Sequence, residues 1–321
     1  MALVLARSEV ASLLTLDDCI AAVEDAFRRA GTLEARPAGI LGMPVAGGGF
    51  HIKAAALGDL FAAKVNGNFS GNPGRGLPAI QGVIVLSDAR DGRPLAILDS
   101  MEITILRTGA ATAVAAKHLA RRSSQVATIC GCGNQGRVQL RALARVLPLR
   151  QAFLHDVDPD RASALSRELS AELGIDLEPV VDLARAVSQS DVCVTCTPSR
   201  KPLLHALRPG TFVAAVGADA PDKQELDPAL LGSAKVVVDS LEQCAEIGEL
   251  HHALEAGCLR RDDVHAQLGE IVAGHKPGRT GDDEIAIFDS TGTALQDVAA
   301  AASVYAAAVR SRRGVDVDLA A

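Results

Sequence analysis

The stretch Val126-Ala127-Thr128-Ile129-Cys130-Gly131-Cys132-Gly133-Asn134-Gln135-Gly136 constrains this chain more than any other. An apolar, β-prone run enters a Gly-x-Gly-x-x-Gly turn, Arg137 to Leu147 has helical character, and a short strand, Ala152 to His155, ends at the acidic Asp156. That succession is the βαβ unit of a dinucleotide-binding domain. Gly131 permits the tight turn, Gly133 lets the backbone approach a pyrophosphate, Gly136 brings helix and strand together, and free N–H groups at the helix start point at the anion. A glycine fingerprint alone is a weak signal; here strand, helix, second strand and acid all fall where the motif needs them. Asp156 is suited to accept hydrogen bonds from the adenosine ribose diol. A carboxylate there repels a 2′-phosphate, which favours NAD over NADP, although Asp158 stands close enough to compete for the role.

At 321 residues the chain is longer than a usual single domain, so two domains are expected. Apolar residues make up 48% and charged residues 22%, the balance of a soluble globular protein. No apolar run reaches membrane-spanning length, and the start MALVLARSEV lacks the basic flank and long apolar core of a signal peptide, so a cytoplasmic protein is expected. A net charge of −7 with no Trp and one Tyr argues against a nucleic-acid surface and for a small-molecule partner. The seven Cys fall mostly in apolar segments and read as reduced core thiols; Cys193-x-x-Cys196 lies in a strand-like run with no second ligand pair. No metal site is expected, since the eight His lack ligand spacing.

Taken in order, Thr15-Leu16-Asp17-Asp18 resembles a capping box, and Ile20, Val23, Phe27 and Ala30 recur at helical spacing. From Arg36 to Leu98 the pattern changes to short β-prone runs, His51–Ala56, Phe61–Val65, Ile80–Leu86 and Leu95–Leu98, with Asp91-Gly92 marking a hairpin. This predicts an α+β domain with a largely antiparallel sheet. Thr104 to Ala120 reads as a helix, and the polar Arg121 to Gln125 as a linker. Beyond the fingerprint, strands at Asp191–Thr195, Phe212–Val216 and Lys235–Val238 alternate with helices and loops, which predicts a doubly wound parallel sheet. The expected division is 1–120 for substrate binding and dimerisation and 121–293 for the Rossmann NAD-binding domain, with a helix in 294–321 returning to the first. Asp282-Asp283-Glu284 reads as a solvated turn.

In open parallel sheets ligands bind beyond the carboxyl ends of the strands. Three loops qualify: Gly131–Gly136, Thr197-Pro198-Ser199, and Gly217-Ala218-Asp219 after Phe212–Val216. Asp219 has the chemistry of a general acid or base, or equally of an Asp stabilising its own turn. In the first domain Arg36, Lys53, Lys64 and Arg107 lie in or beside apolar, Gly-rich segments, where a carboxylate substrate would supply a partner. Lys64, between FAA and VNGN, is the sharpest of the four, because desolvation lowers an amine's pKa toward the range useful for proton transfer.

The chain resembles the ornithine cyclodeaminase/mu-crystallin family along nearly its full length, and most closely its archaeal-type alanine dehydrogenase members. The matching segments are Lys64 with GNPGRGLPAIQG, then ITILRTGAATAVAAKHLA, GCGNQG, TCTPSRKP, AVGADAPDKQELD, DVHAQLGEIVAG and EIAIFDSTGTALQD. The resemblance implies a homodimer joined through the first domain, each subunit binding a nicotinamide cofactor. It implies that Lys64 contacts substrate and takes part in proton transfer, that Arg107 binds the substrate carboxylate and that Asp219 acts as acid/base. Arg36, Lys53 and Lys223 fall near substrate-binding positions, and Thr108, Asn134, Gln135, Val216 and Ser290 sit in cofactor-binding motifs. Two departures bear on substrate identity: Ala79 stands where relatives often have Thr, and Asn66 and Asn68 are offset from the usual Asn after the lysine.

The resulting expectation is hydride transfer between the Cα of an L-amino acid and NAD, with alanine and pyruvate plus ammonia the leading pair. The rivals are an ornithine or lysine cyclodeaminase, a reductase of a cyclic ketimine such as pyrroline-2-carboxylate, and a non-catalytic nucleotide-binding protein.

Overall fold

Two patterns of burial divide the molecule, one of strands whose residues alternate between buried and exposed, the other of strands buried end to end. The computed structural model describes residues 1–32 and 35–319, with side chains for all of these except 35–39. The chain forms two units, Met1–Arg107 with Thr293–Ala321, and Thr108–Gly292.

The first unit carries the alternating strands. Its seven-stranded sheet runs in the order Val315–Val317, Ala2–Leu5, Pro94–Asp99, Ile80–Asp88, Leu60–Asn68, Gly48–Leu57, Ala35–Val45. Neighbours pair antiparallel except Ala2–Leu5 with Pro94–Asp99. In Leu60–Asn68 the side chains of Ala62, Lys64 and Asn66 are buried while Val65 is exposed; in Ile80–Asp88, Ile84 and Leu86 are buried while Val83 is exposed. Side chains on a strand point alternately to opposite faces, so each sequence positions one set inward. The inward set packs against two helices, Leu16–Gly31 and Ala294–Ser311. The Thr15 hydroxyl caps the first by accepting the Asp18 N–H, as the capping signature requires, and Cys19, Ile20, Val23 and Phe27 form its buried stripe.

The outward face of this sheet is apolar. Leu41, Ile52, Val65 and Val83 stand directly opposite one another across four successive strands, and Met43 and Phe50 form the adjoining row. Leu41 is 60% exposed and Met43 52%.

The second unit is built on an all-parallel sheet in the order Ala266–Gln267, Lys235–Val238, Ala286–Asp289, Phe212–Ala215, Val192–Thr195, Val126–Cys130, Gln151–His155, Asp176–Pro179. Val192–Thr195, Phe212–Ala215 and Ala286–Asp289 are buried at every residue. Such runs belong to strands covered on both faces by helices. Strand order reverses between Val126–Cys130 and Val192–Thr195, which places the ligand crevice of a doubly wound sheet at their carboxyl ends. A two-stranded sheet, Arg200–Leu204 with Gln224–Leu226, is added beside this framework. Among the described residues no helix is long and apolar enough to cross a membrane.

The α/β class, the antiparallel first sheet and the parallel second sheet agree with the sequence reading. The division between units differs from it. The helix Ser100–Leu119 is unbroken, and the units meet within it at Arg107 and Thr108, not near residue 120. The polar stretch Arg121–Gln125 instead docks on Asp191, whose carboxylate accepts the N–H groups of Gln125 at 2.8 Å and Val126 at 3.1 Å and pairs with Arg121 at 2.6 Å and with Arg208. Glu284 is not simply solvated either: it pairs with Lys235 at 2.6 Å.

Asp191 therefore ties the start of the fingerprint strand to two guanidinium groups. Burial acts to raise its pKa, but the two backbone donors and the Arg208 and Arg121 charges outweigh burial and hold the carboxyl below its ordinary range. Asp191→Ala is expected to cost about 3 kcal/mol at neutral pH, because it strands two cations and two N–H groups together. A depressed folded-state pKa gives stability that is present above the unfolded value of about 3.9 and disappears as pH falls through the folded value. The difference in urea midpoint between the two proteins should accordingly shrink below about pH 4; a difference under about 1 kcal/mol at pH 7 would show that the anchor is unimportant.

Candidate active site and cofactor site

Within the first unit the sheet and the returning helix bring three ionisable side chains together. Lys64 points inward from Leu60–Asn68 and is 4% exposed; Arg107 lies on Ser100–Leu119 and is 7% exposed. Asp297, in the first turn of Ala294–Ser311, stands between them, one carboxylate oxygen 2.7 Å from Lys64 Nζ and the other 3.2 Å from Arg107 Nε. Arg107 Nη1 also donates to Gln296 Oε1 at 3.0 Å. Lys53 is directly opposite Lys64 in the antiparallel register and is half-buried. Asn66, also inward, accepts from the Ser100 hydroxyl at 2.6 Å, so it braces the strand.

Burial pushes the Lys64 amine down to about 7; Asp297 pulls it upward, and the Arg107 and Lys53 charges reinforce the fall. For Asp297, burial works upward, but the neighbouring Lys64 and Arg107 charges outweigh it and hold the carboxyl below its usual range. The result is an acid held ionised beside an amine that changes state near neutral pH. Cys19 on the adjacent helix is driven by burial up to about 12 and stays a thiol. The Arg36 side chain lies outside the described residues.

In the second unit the fingerprint turn is built as its glycines require. Gly131 has φ of +101°, and a Cβ there would stand 2.9 Å from the Cys196 carbonyl oxygen; a Cβ on Gly136 would stand 2.0 Å from the Gly131 carbonyl oxygen. Gly133 differs, since a Cβ there would meet nothing within 4 Å. It opens onto space, as a residue facing a ligand does. Gly133 is the N-cap of Asn134–Val146 and no side chain caps that helix, whereas Asp158, Asp182, Asp227 and Ser240 cap others in the same unit. The first-turn N–H groups of Asn134, Gln135 and Gly136 are thus left for an anion, and the site fits a pyrophosphate. The Asn134 and Gln135 side chains meet their own helix, at Arg137 and Gln139.

Asp156 accepts the N–H groups of Cys132 at 2.8 Å and Asp158 at 3.0 Å, which fixes its carboxylate at the end of Gln151–His155. A carboxylate has about four lone-pair sites, so capacity for a diol is retained. Thr197 and Gly217 follow neighbouring strands and are both bound to one buried side chain, Glu225. The Val216 N–H donates to the Thr195 carbonyl. Ser199 turns its hydroxyl to the Lys201 carbonyl in its own loop, and Ser290 turns its hydroxyl to Asp239 after the neighbouring strand, so both hydroxyls are engaged within the unit. Thr108 is buried on its helix, and Pro198 lies between Thr197 and Ser199. Asp219 is exposed and pairs with Lys223 at 2.5 Å, so the two residues to which different tasks were assigned are coupled to each other. His252 Nε2 lies 2.8 Å from the Lys223 carbonyl.

All seven cysteines are free, and burial raises Cys193 to about 12 and Cys196 well above its ordinary value, so neither is a reactive thiolate. Sequence reasoning missed Asp297, Gln296 and Glu225. The available signal was an acid in an otherwise apolar context, ALQDVAAAA for Asp297 and the strand-like QEL for Glu225.

The model of the ornithine cyclodeaminase/mu-crystallin family matches residues 1–312. The chain is 41% identical over 314 residues to an alanine dehydrogenase of Archaeoglobus fulgidus, covering 97% of each. It superposes on an archaeal alanine dehydrogenase dimer with bound NAD with a TM-score of 0.96 at 40% identity, covering 99% of both chains. A Thermococcus litoralis Δ1-pyrroline-2-carboxylate reductase in complex with NADH and L-proline gives 0.94 at 34% identity, covering 98% of this chain and 100% of that one. With that match spanning both units, the chain belongs to the ornithine cyclodeaminase/mu-crystallin family.

Proposed function

We propose that the chain is a NAD-dependent oxidoreductase that interconverts an L-amino acid and its imino or 2-oxo acid, with alanine and pyruvate plus ammonia as the leading pair. The observation that carries this reading is the buried constellation of Lys64, Asp297 and Arg107. Among the described residues, Lys64 and Arg107 share Asp297 and Lys53 stands opposite Lys64, and in so poorly solvated a place a substrate carboxylate finds cationic partners. A guanidinium has five donors; Gln296 accepts from Nη1 and Asp297 pairs with the charge beside Nε, so Arg107 is held in place with donors to spare for a carboxylate.

Bound NAD supplies the two-electron acceptor for the hydride leaving Cα. The chain's own residues handle position and protons. The first-turn N–H groups after Gly133 would hold the pyrophosphate, and Asp156 would accept from the ribose hydroxyls. Lys64, titrating near neutrality, takes a proton from the substrate ammonium so that the nitrogen lone pair can drive hydride departure; the water that adds to the resulting iminium gives up a proton, and Lys64 returns its own to the nitrogen as ammonia leaves the carbinolamine. Asp219 is the second proton-handling group. Similarity to the pyrroline-2-carboxylate reductase supports one alternative, the reduction of a cyclic imine by the same residues.

The chain is a homodimer in this reading. The exposed apolar row Leu41, Ile52, Val65 and Val83 gives a two-fold-related copy a self-complementary face, and such a contiguous patch is rarely left in water.

The deciding experiment follows reduced-cofactor absorbance with alanine, ornithine, lysine and proline forward, and with pyruvate plus ammonia and pyrroline-2-carboxylate in reverse. Alanine should yield net NADH. A cyclodeaminase recycles its cofactor and gives none with ornithine; consumption of NADH by the cyclic imine alone transfers the reading to an imine reductase. Lys64→Met should lower turnover by about 10²–10⁴-fold while NADH binding is retained, and equal loss of both would refute the assigned role.

In the oxidative direction the neutral amine is the working form, so kcat/KM should rise through an inflection near pH 7. Asp297→Asn removes the charge that raises the Lys64 pKa, and the inflection should move to lower pH; a shift upward would contradict the charge arrangement. Val65→Glu and Val83→Glu, both on the outward face, should give a monomer by light scattering, whereas an unchanged dimer would place the subunit interface elsewhere.

A further inference from the structure

Three buried acids are arranged in series in the second unit. Glu225, in Gln224–Leu226, is fully buried, and its carboxylate accepts the Thr197 N–H at 2.6 Å, the Thr197 hydroxyl at 2.7 Å and the Gly217 N–H at 3.0 Å. Both Thr197 donors meet Oε1 and the Gly217 donor meets Oε2. One side chain therefore fastens the loop after Val192–Thr195 to the loop after Phe212–Ala215. Glu225 is itself held from behind: the Glu249 carboxylate accepts the N–H groups of Glu225 at 2.7 Å and Leu226 at 3.1 Å. Glu249 opens the helix Glu249–Glu255, where the Leu250 N–H donates to Asp289 at 2.9 Å.

Desolvation makes this an unfavourable place for acids. Burial raises Glu225, raises Glu249 to about 9 and raises Asp289 to about 7, with the neighbouring carboxylates adding to the rise for the last two. A chain that needed only to fill the space would do better with an apolar side chain. What Glu225 provides and no neutral side chain does is two acceptor oxygens at a fixed separation; Gln offers one oxygen and turns an NH₂ toward the other loop's donor.

We propose that Glu225 is a positioning residue for the cofactor, its carboxylate setting the spacing of the Thr197 and Gly217 loops, with Glu249 holding Glu225 in place. This rests on the reading that those two loops meet the cofactor. Glu225 acts entirely through their backbone and the Thr197 hydroxyl. The consequence is a defect in cofactor affinity and not in the chemical step.

The test is titration of NADH fluorescence against the full chain, alongside kcat at saturating cofactor. Glu225→Gln should raise the NADH Kd by about 10- to 100-fold, the effect of losing a hydrogen bond to a charged group and opposing a donor to a donor. At saturating NADH its kcat should stay within about threefold of the unaltered chain. Glu249→Gln, one step further away, should raise Kd by a smaller factor of about 3 to 10, and it decides the matter if Glu225→Gln does not fold. Folded variants whose NADH Kd is unchanged, or whose kcat falls with Kd unchanged, overturn the proposal. Gly133→Val separates the two levels. If it too leaves NADH binding intact, the placement of the cofactor is wrong; if it weakens binding while the acid variants do not, only the role of Glu225 is wrong.

Discussion

Among the described residues, Lys64, Arg107 and Asp297 share a site almost closed to water in the first unit, and holding those charges together constrains how that unit is built. Taking each ion out of water costs several kcal/mol, repaid only by close partners. Asp297 is the partner common to Lys64 and Arg107, at 2.7 Å and 3.2 Å. It reaches them because the chain, after completing the whole second unit, returns through Thr293 and places the first turn of its last long helix against the antiparallel sheet. The fold's discontinuity is thus what assembles the charge cluster. Without Asp297, Lys64 and Arg107 would repel each other in a poorly solvated space; with it, burial still draws the Lys64 amine down to about 7, against the upward pull of Asp297.

The two units set out their polar groups in different ways. The first uses formal charges on side chains, fixed by burial. The second uses the backbone. Gly133 faces open space, the helix behind it has no side-chain cap, and Asp156 is fixed by two N–H groups. Backbone donors at a helix start suit a pyrophosphate whose charge is spread over several oxygens, whereas a planar carboxylate on a small acid suits a guanidinium and an ammonium.

Much of this was legible in the sequence because the signals were local. The change from alternating to continuous apolar runs marks where the sheet changes from antiparallel to parallel, and GCGNQG fixes the first crossover. Lys64 stood out because a cation in an apolar run is expensive wherever the rest of the chain goes. One margin of the first sheet was not legible: Ala2–Leu5 and the edge strand Val315–Val317 are short and pair with each other across almost the entire chain. Asp297 and Glu225 were missed for the same reason. Each is a single acid in a short apolar context, and nothing nearby reveals that its partners are Lys64 and Arg107 in one case and Thr197 and Gly217 in the other. The position of the division between units was misread because a polar stretch, Arg121–Gln125, resembles a linker until its anchor Asp191 is known.

In the proposed reading, an amino-acid dehydrogenase and a cyclic-imine reductase would differ in where the imine nitrogen comes from, not in the redox step. A residue pair that holds a carboxylate and manages one proton near neutrality serves both reactions, because each passes through an imine beside an acid group. Whether the imine is hydrolysed, trapped by the substrate's own amine or supplied already closed into a ring depends on what surrounds Cβ and beyond. The charge cluster contains no such information. Substrate choice is therefore not fixed by such a cluster, and two proteins can carry identical charges there and still release different products.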